Sequence, residues 1–210
     1  MPAHLATQIA ERSSLASVKV SPETVQKLCA YIELLARWNQ RINLTALAVD
    51  PPTDEAIDRL LVEPLVAAGR VRPDDRLVLD VGSGGGSPAI PLKLAASHLR
   101  MVMVEARTRK SAFLREAVRE LELSDVEVAN CRLEELTARG ELRGAVDLVT
   151  MRAVGPSEAL WADVRRLLRP AGRIFWFGGA STGPGYPASL RTLETVPTPP
   201  ASQLLILEAS

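Results

Sequence analysis

The stretch DVGSGGGSPAIPL, Asp80 to Leu92, decides the reading of the whole chain. Just before Asp80 stands an apolar run, Leu77-Val78-Leu79, which reads as a buried strand. Gly82, Gly84, Gly85 and Gly86 then crowd into five positions, and Pro88 follows at a place suited to the first turn of a helix. Strand, glycine-rich turn and helix in this order bring bare backbone up to a nucleotide-like ligand. A lone GxG is weak evidence for such a site, but here both flanking elements are present.

Outward from this turn, strands and helices alternate. Strands are expected over Leu77–Val81, Met101–Glu105, Val126–Ala129, Val146–Met151 and Arg173–Phe177, with two shorter ones at 190–196 and Leu204–Leu207. Helices are expected over Pro88–Ser97, Thr108–Glu122, 133–138 and Pro156–Leu168, the last ended by Pro170-Ala171-Gly172. This pattern predicts an α/β fold: a Rossmann-like, doubly wound, mostly parallel sheet, with the last two strands as an antiparallel edge. Residues 178–189, rich in Gly, Pro and Ser, read as a loop.

Upstream lies a helical cap. Ser21-Pro22-Glu23 has the chemistry of a helix start, and apolar residues at Val25, Leu28, Cys29, Ile32 and Leu35 share one helix face running toward Asn43. Asp50-Pro51-Pro52 breaks the chain, and residues 54–68 form a second helical segment that Pro64 must end or kink. Residues 1–20 read as a tail or a short helix. Two units are expected: a helical cap over residues 1–70 and the α/β domain over residues 71–210.

The bulk composition limits the functions available. The chain has 210 residues, is 47% hydrophobic and carries no formal net charge, so nucleic acid would have to be held by a local patch. Cys29 and Cys131 lie far apart and the histidines are His4 and His98, so no metal-ligand spacing occurs. No apolar run reaches the ~20 residues that span a bilayer, and the N-terminal stretch shows no signal-peptide core. A soluble, monomeric, cytoplasmic protein with no metal and no membrane contact is the expectation.

Four positions narrow the ligand. The turn reads Gly82-x-Gly84-x-Gly86, and the sixth position of a dinucleotide pattern is Ser87 rather than glycine. GxGxG is instead the pattern of methyltransferases that use S-adenosyl-L-methionine. Glu105, at the end of the second strand, is an acid placed to accept ribose hydroxyls, or else a solvated strand-end carboxylate. Leu133 and Glu134 stand beyond the third strand, where they would border an adenine or simply begin an amphipathic helix. Arg152 is a cation at the carboxyl edge of the sheet, suited to a carboxylate or phosphate, or to an ordinary surface ion pair.

The chain resembles the bacterial small-subunit (16S) rRNA guanine-N7 methyltransferases, the glucose-inhibited division protein B family, in order along nearly its whole length. Trp38-Asn39-x-x-Ile42-Asn43-Leu44-Thr45 looks like the family's WN…NLT signature, and residues 80–92 look like its DVGTGxGxPGIPL, with Ala89 for a glycine. Arg109-Lys110-x-x-Phe113-Leu114, Arg132-Leu133-Glu134-Glu135 and Arg152-Ala153 are similar to three further family motifs.

The resemblance implies contacts to S-adenosylmethionine from Gly82, Gly84, Ser87, Glu105, Leu133, Glu134 and Arg152, with Arg152 also positioning the target. It implies an RNA-facing rim of Arg109, Lys110 and Arg132, and 16S rRNA or a small-subunit precursor as partner. Asn39 and Asn43 would either line the target pocket or tie the cap to the sheet. The pattern departs where the family carries H-x-x-D-S, here Leu60, Glu63 and Pro64. It departs again at Met151 for a serine, at Gly178 for a lysine, and at Ser202 or Gln203 for a basic residue. These positions lie on the substrate side. They leave open a methyltransferase acting on another nucleic acid or a small molecule, or a cofactor-binding relative without catalysis.

Overall fold

A computed structural model describes residues 2–178 and 186–209. One seven-stranded sheet runs through the chain: β1 (Leu77–Val81), β2 (Arg100–Val104), β3 (Val126–Ala129), β4 (Val146–Arg152), β5 (Leu168–Phe177), β6 (Leu190–Thr198) and β7 (Ser202–Ala209). The strand order is β3-β2-β1-β4-β5-β7-β6. β1 to β5 are parallel, while β7 is antiparallel to both β5 and β6. The expected doubly wound sheet with an antiparallel edge is therefore present. Its direction of winding reverses between β1 and β4, and ligands bind at the carboxyl ends of strands at such a switch point.

Both faces of the sheet are covered, which is why β1 is buried along its whole length. On one face Leu79, Val102, Val149 and Ile174 pack with Trp161 and Val164 of helix α8 (Glu158–Leu167) and with Leu133 and Leu136 of α7 (Leu133–Arg139). On the other, Val78, Met101, Leu148 and Phe175 share a core with α5 (Ala89–Ala95), α6 (Thr108–Glu120) and the N-terminal helices. Those are α1 (Pro2–Leu15), α2 (Pro22–Asn39), α3 (Asp54–Ile57) and α4 (Glu63–Ala68). The cap thus has no separate interior: Leu28, Ile32 and Leu61 belong to the same apolar cluster as the strands.

Of the two readings of the N-terminal residues the structure shows the helix, and three other local expectations are corrected. Residues 2–15 form a full helix, which Arg12 ties to the rest of the cap through Asp58 (Nε to Oδ1, 2.9 Å). α2 is capped by the Ser21 side chain as read, but it stops at Asn39 instead of continuing to Asn43. There the Asn39 amide takes over the turn: its Oδ1 accepts the N–H of Leu44 and Thr45, and its Nδ2 donates to the Thr45 carbonyl. Pro64 does not end its helix: a π-helical turn over Asp58–Val62 interrupts the α-helical bonding just before it and joins α3 to α4. Pro170-Ala171-Gly172 lies inside β5, and α8 ends before it at Leu167.

Candidate functional site

The glycine turn leaves β1 and folds back under the cap. Gly82 and Ser83 both donate to the Val104 carbonyl at the end of β2, which pins the turn across two strands. Gly82 has φ +69°, and a Cβ there would lie 3.3 Å from Val154. Gly86 is the tighter position: φ is +88°, and a Cβ would meet the Ile90 side chain at 2.5 Å. Only glycine suits this combination of left-handed backbone and close approach. Pro88 lies just before α5, whose first residue is Ala89.

The cap closes over this turn. Tyr31 donates its hydroxyl to the Gly85 carbonyl at 2.6 Å, and Ser87 Oγ donates to the Leu60 carbonyl at 2.8 Å. Trp38 packs edge-to-face on Phe113 of α6, with ring centroids 5.9 Å apart. A cleft of about 780 Å³ opens between cap and sheet. Leu44, Thr45, Arg59 and Leu60 line one wall; Gly82–Gly85, Ser87, Glu105, Arg107, Lys110 and Arg152–Gly155 line the other. A separate groove of about 900 Å³, between the α1–α2 turn, α4 and Val196–Pro197, shares no residue with it.

Glu105 sits at the centre of the second wall. It is 7% exposed; Oε2 accepts the Gly84 N–H at 3.0 Å and Oε1 the Arg107 N–H at 2.8 Å. A carboxylate offers about four lone-pair sites, so each oxygen can still accept a ligand hydroxyl. Asn130 and Ser111 both donate to the Glu105 carbonyl, fixing the strand end from behind.

Arg152, at the end of β4, lines the cleft with a side chain that is only 14% exposed. The carboxylate it meets belongs to the chain itself: Nη2 lies 2.8 Å from Oε2 of buried Glu63, a contact at ion-pair distance but outside hydrogen-bonding angles. Nη1 donates to the Arg59 carbonyl at 2.5 Å, and the guanidinium lies 4.7 Å from the Phe177 ring centroid. Burial pushes the Glu63 carboxyl up and the Arg152 guanidinium down, and each opposes the other's shift. The surface ion pair weighed from sequence is thus a mostly buried one.

Asp80 is the other buried acid. Oδ1 accepts the Thr150 hydroxyl at 2.5 Å, while Oδ2 has no hydrogen-bond partner among the described residues. Burial pushes its carboxyl up to about 6, with Ser83, Thr150 and Arg152 pulling the other way and Glu105 adding to the rise. An aspartate in an unfolded chain titrates near ~3.9. With the folded value raised, the stabilising contribution is complete below about pH 4 and is lost as pH rises through about 6. Asp80→Asn stays uncharged, so it is expected to lose about 2 kcal/mol less stability than the native chain between about pH 4 and 6.5. Urea unfolding at both pH values measures the difference; an interval independent of pH contradicts it.

Other positions singled out in the sequence stand apart from the cleft. Leu133 is buried at the start of α7, and Glu134 is exposed and pairs with Arg132 at 3.6 Å; none of the three lines the cleft. Arg109 and Asn43 are exposed and Met151 is in the core. Gly178 has φ +70° and open space around it, while the loop beyond falls outside the described residues until Tyr186. Among the described residues Arg107, Arg109, Lys110, Arg115 and Arg119 make no ion pair, and Glu120 pairs with Arg37 of the cap at 2.9 Å. Glu63, Tyr31 and Arg59 were missed as site residues. Their neighbours in the cleft are distant in sequence; Glu63 alone falls within a family motif, at the acidic position of H-x-x-D-S, and that position carried the available signal.

With the geometry in place, comparison with known proteins is decisive. A family model described as GidB, rRNA small subunit methyltransferase G, matches residues 24–187. The chain belongs to this family. The ribosomal RNA small subunit methyltransferase G of Stenotrophomonas maltophilia is 35% identical over 182 residues, covering 85% of this chain and 79% of that protein. Its counterpart in Syntrophotalea carbinolica is 35% identical over 153 residues, covering 73% and 68%. Among solved structures, an O-methyltransferase from Bacillus cereus in complex with SAH superposes with a TM-score of 0.62 at 18% identity, covering 86% of this chain and 91% of that one. A SAM-dependent methyltransferase from Aquifex aeolicus gives 0.56 at 18% identity, covering 72% and 92%. The fold is that of the Rossmann-like class I methyltransferases. Among the described residues no helix is long and apolar enough to cross a membrane, and no cluster of three potential metal ligands occurs.

Proposed function

We propose that the protein is an S-adenosyl-L-methionine-dependent methyltransferase acting on N7 of a guanosine in 16S rRNA. The observation that carries this is the placing of Glu105 against the Gly84 N–H, in a cleft whose opposite wall is the WN…NLT loop of the cap. Membership of the family supports the substrate, and it disfavours a small-molecule enzyme or a non-catalytic module.

The residues present suit the cofactor. Gly82 and Gly84 keep the turn free of side chains, Glu105 offers acceptors for ribose hydroxyls, and Ser87 borders the same space. Leu133 and Glu134, assigned to the adenine end by the family resemblance, lie outside this cleft at the start of α7. Bound S-adenosylmethionine supplies an electrophilic methyl group on a sulfonium. A guanine N7 carries a lone pair and no proton, so no side chain has to act as a general base. The chain's task is to orient, which in favourable cases is worth ~7–11 kcal/mol. Arg152 serves here as a positioning residue: its donors are turned to Glu63 and to the Arg59 carbonyl.

For RNA, the exposed cations Arg107 and Arg109 and half-buried Lys110 stand at the start of α6 beside the cleft, with Arg132 nearby on the same strand-end edge. Changing Arg109 and Lys110 to Ala is expected to flatten the salt dependence of rRNA binding, reducing the slope of log K against log salt by about 0.7–0.9 per lost phosphate contact. Filter binding at several salt concentrations measures it, and an unchanged slope removes both residues from the RNA surface. The enzyme is proposed to act as a monomer in the cytoplasm, on free rRNA or a small-subunit precursor. Mass spectrometry of small-subunit rRNA from cells lacking the gene tests the function: one N7-methylguanosine is expected to disappear, and retention of all of them rejects the assignment.

A further inference from the structure

In a continuous α-helix the N–H of residue 64 would bond the Leu60 carbonyl, and that of Glu63 the Arg59 carbonyl. Residue 64 is proline, which has no N–H and whose ring presses against the carbonyl four residues back. The Glu63 N–H in turn is donated across the π-helical turn to the Asp58 carbonyl. Two consecutive carbonyls, Arg59 and Leu60, are therefore without their α-helical donors. Both are taken up by side chains of the cleft: Arg152 Nη1 reaches Arg59 O at 2.5 Å, and Ser87 Oγ reaches Leu60 O at 2.8 Å. The extra residue in the turn also sets Glu63 against Arg152.

We propose that Pro64 is a positioning residue for the cofactor cleft: its missing N–H leaves the Leu60 carbonyl to Ser87, next to the π-helical turn that leaves the Arg59 carbonyl to Arg152, and the two contacts together fix the side chains that flank the glycine turn. The proposal rests on the reading that this turn holds S-adenosylmethionine. Pro64 is one of the positions at which the chain departs from the family pattern, so the device is tied to this sequence rather than to the fold.

The test is a double-mutant cycle on the full chain. Pro64→Ala supplies an N–H that competes with Ser87 for the Leu60 carbonyl, and Ser87→Ala removes the hydroxyl. Calorimetry with S-adenosylmethionine is expected to show Kd raised about five- to twentyfold in each single variant, with the double variant no weaker than the weaker single one. Ser87→Thr keeps a hydroxyl and is expected to bind within about twofold of the native chain. Native affinity in Pro64→Ala, or effects that multiply in the double variant, overturns the proposal. If the native chain itself does not bind S-adenosylmethionine, the cofactor reading fails separately. The same four proteins compared by urea unfolding then decide the latch, since coupled losses uphold it and additive losses overturn it.

Discussion

Replacing Arg152 with alanine is expected to destabilise the fold by about 3–5 kcal/mol, because it leaves a buried carboxylate without its counter-charge. Glu63 is 1% exposed, and its remaining basic neighbour, Arg59, stands 3.7 Å away with a side chain 37% exposed. The Arg59 carbonyl loses its donor in the same change. The attraction within the pair opposes a desolvation cost of similar size, so removing both charges is a milder change than removing one. Glu63→Gln combined with Arg152→Met should therefore recover most of the stability lost in Arg152→Ala. Urea unfolding of the three chains reads this directly. A loss below about 1 kcal/mol in Arg152→Ala would mean that the pair is solvated and carries no such weight.

The second large effect concerns the cofactor. Glu105→Ala strips the acceptors from two backbone N–H groups, of Gly84 and Arg107, and removes the proposed ribose contacts as well. Hydrogen bonds to charged groups are worth ~1.5–3 kcal/mol each. Loss of the equivalent of one of them predicts S-adenosylmethionine binding weakened about ten- to two-hundredfold. Calorimetry measures this, and an unchanged Kd would move the ribose away from Glu105. Glu105→Gln separates charge from shape: it keeps one carbonyl acceptor and is expected to fall between the native chain and alanine.

How much of this was legible in the sequence depended on the distance over which each feature is determined. The glycine turn, the five parallel strands and the antiparallel edge follow from local pattern, because burial on both faces writes itself as short apolar runs between turn residues. α1 left a fainter trace. It is helical because Leu5 and Ile9 pack into the common core and Arg12 reaches Asp58, contacts that no local window contains. Pro64 was read through its local rule, as the end or kink of a helix, and the π-helical turn absorbs it because cleft side chains accept the task of satisfying the freed carbonyls.

The site divides along the same line. Glu105 and the glycines are readable because their spacing is set by one strand–turn–helix unit. The partner of Arg152 was not, since Glu63 lies 89 positions away and meets it only where cap and sheet close together. Asn39 illustrates the reverse case. Its place in a family signature suggests either a target contact or a tie from cap to sheet, whereas its three hydrogen bonds run to Leu44 and Thr45 and shape a turn within the cap itself.

Methyl transfer to the ribosomal RNA itself tests the central claim most directly. Small ribosomal subunits from cells lacking the gene, incubated with the purified chain and S-adenosylmethionine labelled in its methyl group, are expected to gain one labelled N7-methylguanosine in 16S rRNA, and the Glu105→Ala chain to transfer little or none. Label absent from 16S rRNA with the native chain, or found on a different nucleoside, would contradict the assignment.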